Sequence, residues 1–223
     1  MHAAIVMDGN RRWARLRGLA PADGHAAGEA ALRRIVMAAP RLGVRTLTVF
    51  GFSTENWSRG SDEVGALMRL IASFASIRKD ELLAAGIRVR VRGDLARLPF
   101  AARAALRALE RASSGNSRLT LVLAINYGGR DEILRAVRSI ARDRVAHDAI
   151  TEDVFRSHLD LPDVGDPEIV IRTGGEQRLS NFLIYQCAYS EFVTLPVLWP
   201  DFEEEHLAQA VAQFGGRQRR FGA

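Results

Sequence analysis

Cysteine is almost missing from this chain: Cys187 is the only one in 223 residues. No internal disulfide can form, and no Cys/His cluster has zinc spacing. A reducing compartment follows, so the expected location is cytoplasmic. Lysine is almost missing too, with Lys79 alone among 31 basic residues. Against 26 acids the net charge is +5, too small and too dispersed to imply a nucleic-acid partner. No apolar run reaches the ~18 residues that span a bilayer. The start, Met1-His-Ala-Ala-Ile-Val-Met-Asp8, lacks the basic n-region of a secretory signal. P-loop, G-x-G-x-x-G, H-E-x-x-H and G-x-S-x-G motifs are all absent. A 48% hydrophobic and 26% charged composition is that of a soluble globular chain, which excludes disorder and collagen-like repeats.

What is present alternates. Ala3–Met7 reads as a short buried strand ending at Asp8, and Gly9-Asn10 as a turn into a helix through Arg12, Trp13 and Arg15. Gly24-His25 precedes a helical pattern of Ala31, Leu32, Ile35, Val36 and Ala39 that Pro40 ends or kinks. Val44–Phe52 is β-branched and aromatic, hence a strand. Ser61 reads as the N-cap of a long helix to about Leu83, with Leu67, Met68, Ile71 and Phe74 on one face. Ile87–Arg92 alternates Ile-Arg-Val-Arg-Val-Arg, a strand with one wet face. A helix spans 100–112, a strand 119–125, a helix 133–141, a strand 169–172 and a last helix 203–214. This rhythm predicts one α/β domain, residues 1–223, with a mostly parallel sheet flanked by helices.

In such sheets ligands bind outside the carboxyl ends of the strands. The segments there carry Asp8-Gly-Asn-Arg-Arg12, Ser53-Thr-Glu-Asn-Trp-Ser-Arg59, Asn126-Tyr-Gly-Gly-Arg130 and Arg172-Thr-Gly-Gly-Glu-Gln-Arg-Leu-Ser180. A carboxylate at a strand end followed by a helix start can hold a hard cation and a phosphate together. Two arginines around a Gly-Gly turn, with Ser180 beyond, can wrap a diphosphate. Glu191, after a mostly apolar run, is either an exposed acid or a metal partner. His147, His158 and His206 read as solvated surface without partners, and Cys187 as packed.

Taken together these blocks resemble the cis-prenyltransferases, the undecaprenyl diphosphate synthase family. The matching stretches are 5–14, Gly24-His-Ala-Ala-Gly28, 47–59, Asn126–Arg130, 169–181, Ala188–Glu191 and Leu198–Phe202, in the family's order over essentially the whole chain. The resemblance implies a six-stranded sheet, a homodimer and Mg²⁺. It also implies condensation of isopentenyl diphosphate onto an allylic prenyl diphosphate with a cis double bond formed each time. It makes Asp8 the metal carboxylate at the allylic diphosphate, with Gly9, Asn10, Arg11, Arg12, Trp13 and His25 around that group. Asn56 and Ser53 match the polar pair of the proton-removal step, and Thr54, Glu55, Trp57 and Arg59 the substrate site. Arg172, Arg178 and Ser180 match the isopentenyl diphosphate site, Glu191 a second metal contact, and Arg220 a C-terminal arm that reaches a neighbouring subunit. A long lipid product implies a tunnel along Leu67, Met68, Ile71 and Phe74, open at Gly51, and possible peripheral membrane contact.

There are departures. Pro21 and Asp23 stand where the family usually has Arg and Phe, and Gln177 where a His is frequent. Losing one cation and gaining an acid puts the choice of allylic primer at issue. Two other readings stand beside chain elongation: irregular head-to-middle coupling of allylic diphosphates, and a non-catalytic prenyl-diphosphate-binding subunit.

Overall fold

The computed structural model describes residues 1–215. Among them six strands form one sheet: β1 (His2–Val6), β2 (Thr46–Ser53), β3 (Ile87–Arg92), β4 (Leu119–Tyr127), β5 (Ile169–Arg172) and β6 (Glu191–Thr194). Their order is β3-β4-β2-β1-β5-β6, and every pairing is parallel. β1 lies between β2 and β5, so the chain departs from it in both directions and leaves a crevice at their carboxyl ends. β1 and β5 are buried along their whole length, as near-continuous apolar strands of a covered parallel sheet must be.

The helices are α1 (Asn10–Leu16), α2 (Pro21–Ala38), α3 (Ser61–Ile77), α4 (Lys79–Ala84), α5 (Phe100–Ala112), α6 (Gly129–Arg142), α7 (Glu152–Ser157) and α8 (Glu204–Gly215). Ile35, Phe74, Leu106 and Leu207, from α2, α3, α5 and α8, belong to the main core on one face of the sheet. On the other face Phe182 and Leu183 pack against Ala4, Val6 and Val170. Phe50 stacks on Phe182 at 4.6 Å between ring centres.

Several local expectations change. Gly60, not Ser61, is the N-cap of α3, and the helix breaks at Arg78 instead of running to Leu83. α2 starts at Pro21, the first-turn position that suits a residue without an amide hydrogen. Asp23 accepts the Ala20 amide at 3.0 Å and closes that end. The Pro21/Asp23 departure is therefore a helix start. β3 is wet on its arginine face only in part: Arg88 and Arg90 are half-buried, whereas Arg92 is buried against Glu132 at 3.2 Å. His158 and His206 do have partners. His158 bonds Val154 O and Asp143, and His206 accepts the Glu203 amide. Cys187 is half-buried, and burial pushes its thiol up to about 11.

Two irregularities shape the mouth of the sheet. Phe50 pairs with Ala124 and Phe52 with Ile125, so Gly51 is an extra residue in β2. Ser53 then pairs with Tyr127, so Asn126 is an extra residue in β4, at φ +47°. The second bulge offsets the first and turns the Asn126 side chain out of the ladder.

His2 is buried in the sheet. Its Nδ1–H donates to Gly165 O and its Nε2 accepts from the Thr48 hydroxyl, both at 2.7 Å, which fixes the neutral tautomer. Burial lowers its pKa from 6.5 to about 4, with Arg92 adding to the effect and the Gly165 contact and Glu168 opposing it. The unfolded chain then binds the extra proton between those values, so stability is complete above pH 6.5 and falls as pH drops toward 4. Denaturant titrations should lose roughly 2 kcal/mol between pH 6.5 and 5 from this group, and His2→Gln should flatten that slope.

Candidate active site

The site starts where β1 stops. Thr173 Oγ1 accepts the Asp8 amide at 2.9 Å and donates to Asp8 O at 2.7 Å, which holds the turn against the end of β5. Gly9 follows at φ +112°, a conformation that side chains rarely adopt, and a Cβ there would lie 2.8 Å from Leu198. The first bond within α1 runs from Trp13 N to Gly9 O at 2.8 Å. The amides of Asn10, Arg11 and Arg12 therefore have no partner within the helix. α2 crosses this turn through Gly24 and Gly28, where any Cβ would strike Asn10 O or Asn10 Oδ1. Asn10 Oδ1 is buried beneath it without a hydrogen-bond partner.

Arg172 ends β5 with its side chain only 4% exposed. Nη1 donates to Arg178 O at 2.5 Å and to Ser180 Oγ at 2.8 Å, while Nη2 donates to Asp8 Oδ2 at 2.7 Å. Arg12 approaches the other Asp8 oxygen at 3.4 Å and donates to Gly174 O at 2.8 Å. A side chain at Gly174 would occupy the space of the Arg12 guanidinium. Ser180 and Asn181 have φ of +51° and +64°, so the 173–181 loop turns back over the pocket. Asn181 ties the loops together: it donates to Glu55 at 2.7 Å, and its Oδ1 accepts the Arg130 amide at 2.9 Å.

Beyond β2, Asn56 Oδ1 accepts the Ser53 amide at 3.0 Å. That bond assigns the amide orientation and leaves Asn56 Nδ2 as the group available to the pocket. Trp57 donates from its indole to Asn126 Oδ1 at 2.7 Å, so the β4 bulge aims it. Asp8, Ser53, Glu55, Asn56, Arg59, Arg172, Arg178 and Ser180 line one polar cavity of about 600 Å³. Beside it, Glu63 is a residue the sequence reading missed. It accepts from Arg59 at 2.9 Å and lies 3.4 Å from His25 and 4.0 Å from Arg11. Burial works against its charge, but Arg59 and Arg11 outweigh that and hold it below the ordinary carboxylate range. Burial lowers the His25 pKa, against the pull of Glu63. The available signal for Glu63 was its spacing of four residues from Arg59 on a helix start.

A polar cavity at the switch point, rich in arginine and adjoining unpaired amides, is built for phosphoryl groups. The family model described as putative undecaprenyl diphosphate synthase matches residues 6–222. This chain belongs to that prenyltransferase family. An isoprenyl transferase of Agrobacterium fabrum is 49% identical, with 100% of this chain and 92% of that protein aligned. A (2E,6E)-farnesyl-diphosphate-specific undecaprenyl diphosphate synthase of Micrococcus luteus is 44% identical over 99% of this chain and 90% of its own. Among solved structures, lavandulyl diphosphate synthase of Lavandula x intermedia, in complex with dimethylallyl diphosphate, superposes with TM-score 0.94 at 36% identity. The alignment covers 100% of this chain and 98% of that one. A probable undecaprenyl diphosphate synthase of Campylobacter jejuni gives 0.84 at 30% identity with the same coverage. The chain is thus an enzyme of the polyprenyl diphosphate synthase type.

For this prenyltransferase, a partly open apolar cavity of about 90 Å³ adjoins the polar one, and Met7 lines both. Leu67, Ile71, Phe74 and Gly51 line it as expected for a tunnel wall, together with Asn10 and His25. Met68 does not; it faces the opposite side of α3.

Other expected residues are not brought to Asp8. The Trp13 indole turns outward, donating to Asp201 at 2.7 Å with Arg17 stacked on it at 4.2 Å. Arg178, expected beside Arg172, does line the polar cavity with Asp8, its guanidinium paired with Glu176 at 2.7 Å near the surface. Glu191 opens β6 in register with Ile169 and hence with Ala3, five residues before Asp8 along the strand direction. That is about 16 Å away along the strand axis, so the fold does not bring Glu191 to Asp8 within one chain. Arg220 lies outside the described residues. No group of three or more His, Cys, Asp or Glu side chains that could cage a metal occurs among the described residues. Magnesium needs no such cage, since it is held by one or two carboxylates plus substrate phosphates. The Asp8 carboxylate, 28% exposed beside the polar cavity, fits that donor set.

Proposed function

We propose that this enzyme condenses isopentenyl diphosphate with an allylic prenyl diphosphate and forms a cis double bond. One observation carries the reading: the arginine-lined polar cavity with Asp8 opens beside an apolar cavity, Met7 lining both. A molecule with a doubly charged head and a hydrocarbon tail suits that junction.

The allylic diphosphate binds at the Asp8–Arg12 turn, where the amides of Asn10–Arg12 and the Arg12 guanidinium face its oxygens. Its tail enters past Met7. Isopentenyl diphosphate binds at Arg172, Ser180 and Arg178; a phosphate readily replaces the exposed Glu176 partner of Arg178, because such surface pairs are weak. Asp8 would hold Mg²⁺ together with diphosphate oxygens, and when bound there the ion supplies neutralisation of the departing charge. The allylic C–O bond breaks as fixed donors stabilise the leaving diphosphate. The isopentenyl double bond then attacks the allylic carbon to form the new C–C bond, and one proton leaves the adjacent methylene.

A neutral amide is too weak a base to take that proton, and Asn56 Oδ1 already accepts the Ser53 amide. Ser53 and Asn56 orient the isopentenyl unit, and a diphosphate oxygen takes the proton. Cytosolic action belongs to the same reading, as a chain with one cysteine gains nothing from oxidising conditions. Contact with a membrane comes through a long lipid product.

A homodimer is part of the proposal. Leu134 and Val137, one turn apart on α6, are 52% and 50% exposed and offer an apolar face for a second copy. Light scattering should give twice the 24.6 kDa chain mass, and Val137→Asp should halve it; a monomer at working concentration would contradict this.

The reaction itself is tested with purified enzyme, Mg²⁺, isopentenyl diphosphate and allylic primers of increasing length. Asp8→Ala should lower kcat by about 10²–10³-fold, the loss typical of removing a group that stabilises developing charge. An unchanged rate would overturn the role of Asp8. The likeness to lavandulyl diphosphate synthase keeps a second reading alive, the coupling of two allylic units. A branched product from dimethylallyl diphosphate alone would favour it over elongation.

A further inference from the structure

α2 and α3 both run from the mouth of the sheet toward its amino end, and two polar links join them. At the first, His25 of α2 lies 3.4 Å from Glu63 of α3. At the second, Arg78 forks onto Glu29 of α2, Nε to Oε1 at 2.9 Å and Nη2 to Oε2 at 3.3 Å. The links are four residues apart on α2 (25 to 29) and fifteen apart on the α3 side (63 to 78), about 6 and 22 Å along the two axes. Between them α3 turns Leu67, Leu70, Ile71 and Phe74 to the apolar cavity. Glu29 lines that cavity too. It is the one carboxylate among the described residues that do, and no Lys or Arg is among them.

The second link belongs to a larger cluster. Arg78 closes α3 and opens α4, so it holds the break between the two helices. Glu81 of α4 lies 3.8 Å from Arg78 and accepts Arg33 Nε of α2 at 2.7 and 2.9 Å. Glu29, Arg78, Glu81 and Arg33 thus alternate in sign across the end of the α2–α3 gap that lies away from the mouth. The Glu29 side chain is only 16% exposed. Apolar walls and this wall respond differently to hydrocarbon. Leu70 or Phe74 can change rotamer and still end against apolar atoms. A hydrocarbon that parted Glu29 from Arg78 would leave a half-buried carboxylate without its counter-charge, and breaking such a pair is strongly unfavourable.

We propose that the Glu29–Arg78 pair is the stop that sets the length of the prenyl product. The inference rests on the prenyl-transfer reading above and names the residues of this chain that limit it. The growing tail stays in the cavity between α2, α3 and the sheet, and displaces the apolar side chains of α3 as it lengthens. Condensation continues until the tail meets Glu29. The next five-carbon unit would have to part the pair, and the product leaves instead. The carboxylate is the barrier, and Arg78 is a positioning residue that fixes it across the path.

The test sizes, by mass spectrometry, the products made from farnesyl diphosphate with Mg²⁺ and excess isopentenyl diphosphate. Glu29→Leu keeps the bulk, removes the charge and has a high helix propensity, so it should fold. Its main product should be longer by at least one five-carbon unit. The final product of the unsubstituted enzyme, offered back as a primer, should be extended about tenfold faster by this variant. Arg78→Gln loses the same pair but keeps the carboxylate, so its product should be no longer than that of the unsubstituted enzyme. Arg33→Gln breaks the neighbouring pair outside the cavity and should leave the length unchanged. An unchanged product from Glu29→Leu would overturn the proposal. Lengthening by Arg78→Gln or Arg33→Gln to the same extent would also overturn it, since a loosened α3 would then be the cause. No turnover by the unsubstituted enzyme with any primer would contradict the reaction instead. Calorimetric binding of prenyl diphosphates of increasing length would then still decide the stop. A fall in affinity beyond one length, moved to a greater length by Glu29→Leu, supports it, and the same profile in both proteins overturns it.

Discussion

The contact between Arg172 and Asp8 organises this molecule. A guanidinium only 4% exposed needs a counter-charge, because an unpaired buried charge costs about 3–5 kcal/mol; Asp8 supplies it, although Arg172 Nε stays buried without a partner. β5 and β1 are neighbours in register, Val6 opposite Arg172, so Asp8 is the acid within reach. Nη1 of Arg172 draws Arg178 O and Ser180 inward, and that fold-back gives the 173–181 loop its shape. Gly174 and Gly175 supply the left-handed backbone that the loop needs. Ser180 and Asn181 adopt the same region at a cost which the bonds to Arg172, Glu55 and Arg130 offset.

The same contact explains how a pocket full of cations remains ordered. Arg172 and Arg12 share Asp8, Arg59 and Arg11 share Glu63, and Arg178 has Glu176. Asp8 and Glu63 hold Arg172, Arg12 and Arg59 in place, so little reorganisation of these remains when a diphosphate arrives, whereas Arg178 exchanges its exposed Glu176 partner. Glu63 has a further consequence. It touches both an arginine of the polar cavity and His25 of the apolar one, and so links the head and tail regions through the first turn of α3. The α3 helix then serves two surfaces: the charged entrance and the apolar cavity.

Much of this was legible in the sequence. Apolar runs such as Leu119–Ala124 and the turn residues after them mark the strands and their carboxyl ends, and loops at those ends carry Asp8, Asn56 and Arg172. Side-chain direction was not legible, because it depends on register. The paired bulges at Gly51 and Asn126 decide where Ser53 and Trp57 point, and nothing local announces that one offsets the other. Trp13 sits in the most diagnostic stretch of the chain yet turns away to Asp201, since helical geometry puts it on the face opposite Asp8. Glu191 looked like a partner for Asp8, but the parallel pairing of β6 leaves it at the amino end of the sheet. Met68 fell on the wrong side of α3 because a broad apolar stripe conceals that the helix divides two spaces. The local role of Pro21 and Asp23, which start α2, was not read from the sequence either.

The most direct test of this account is a double-mutant cycle between Asp8→Asn and Arg172→Gln, read by calorimetric binding of isopentenyl diphosphate. If the pair organises the pocket, each single change should cost most of what both cost together, with a coupling of about 1–3 kcal/mol. Costs that add to within about 0.5 kcal/mol would mean that the two residues act independently, and would contradict the account.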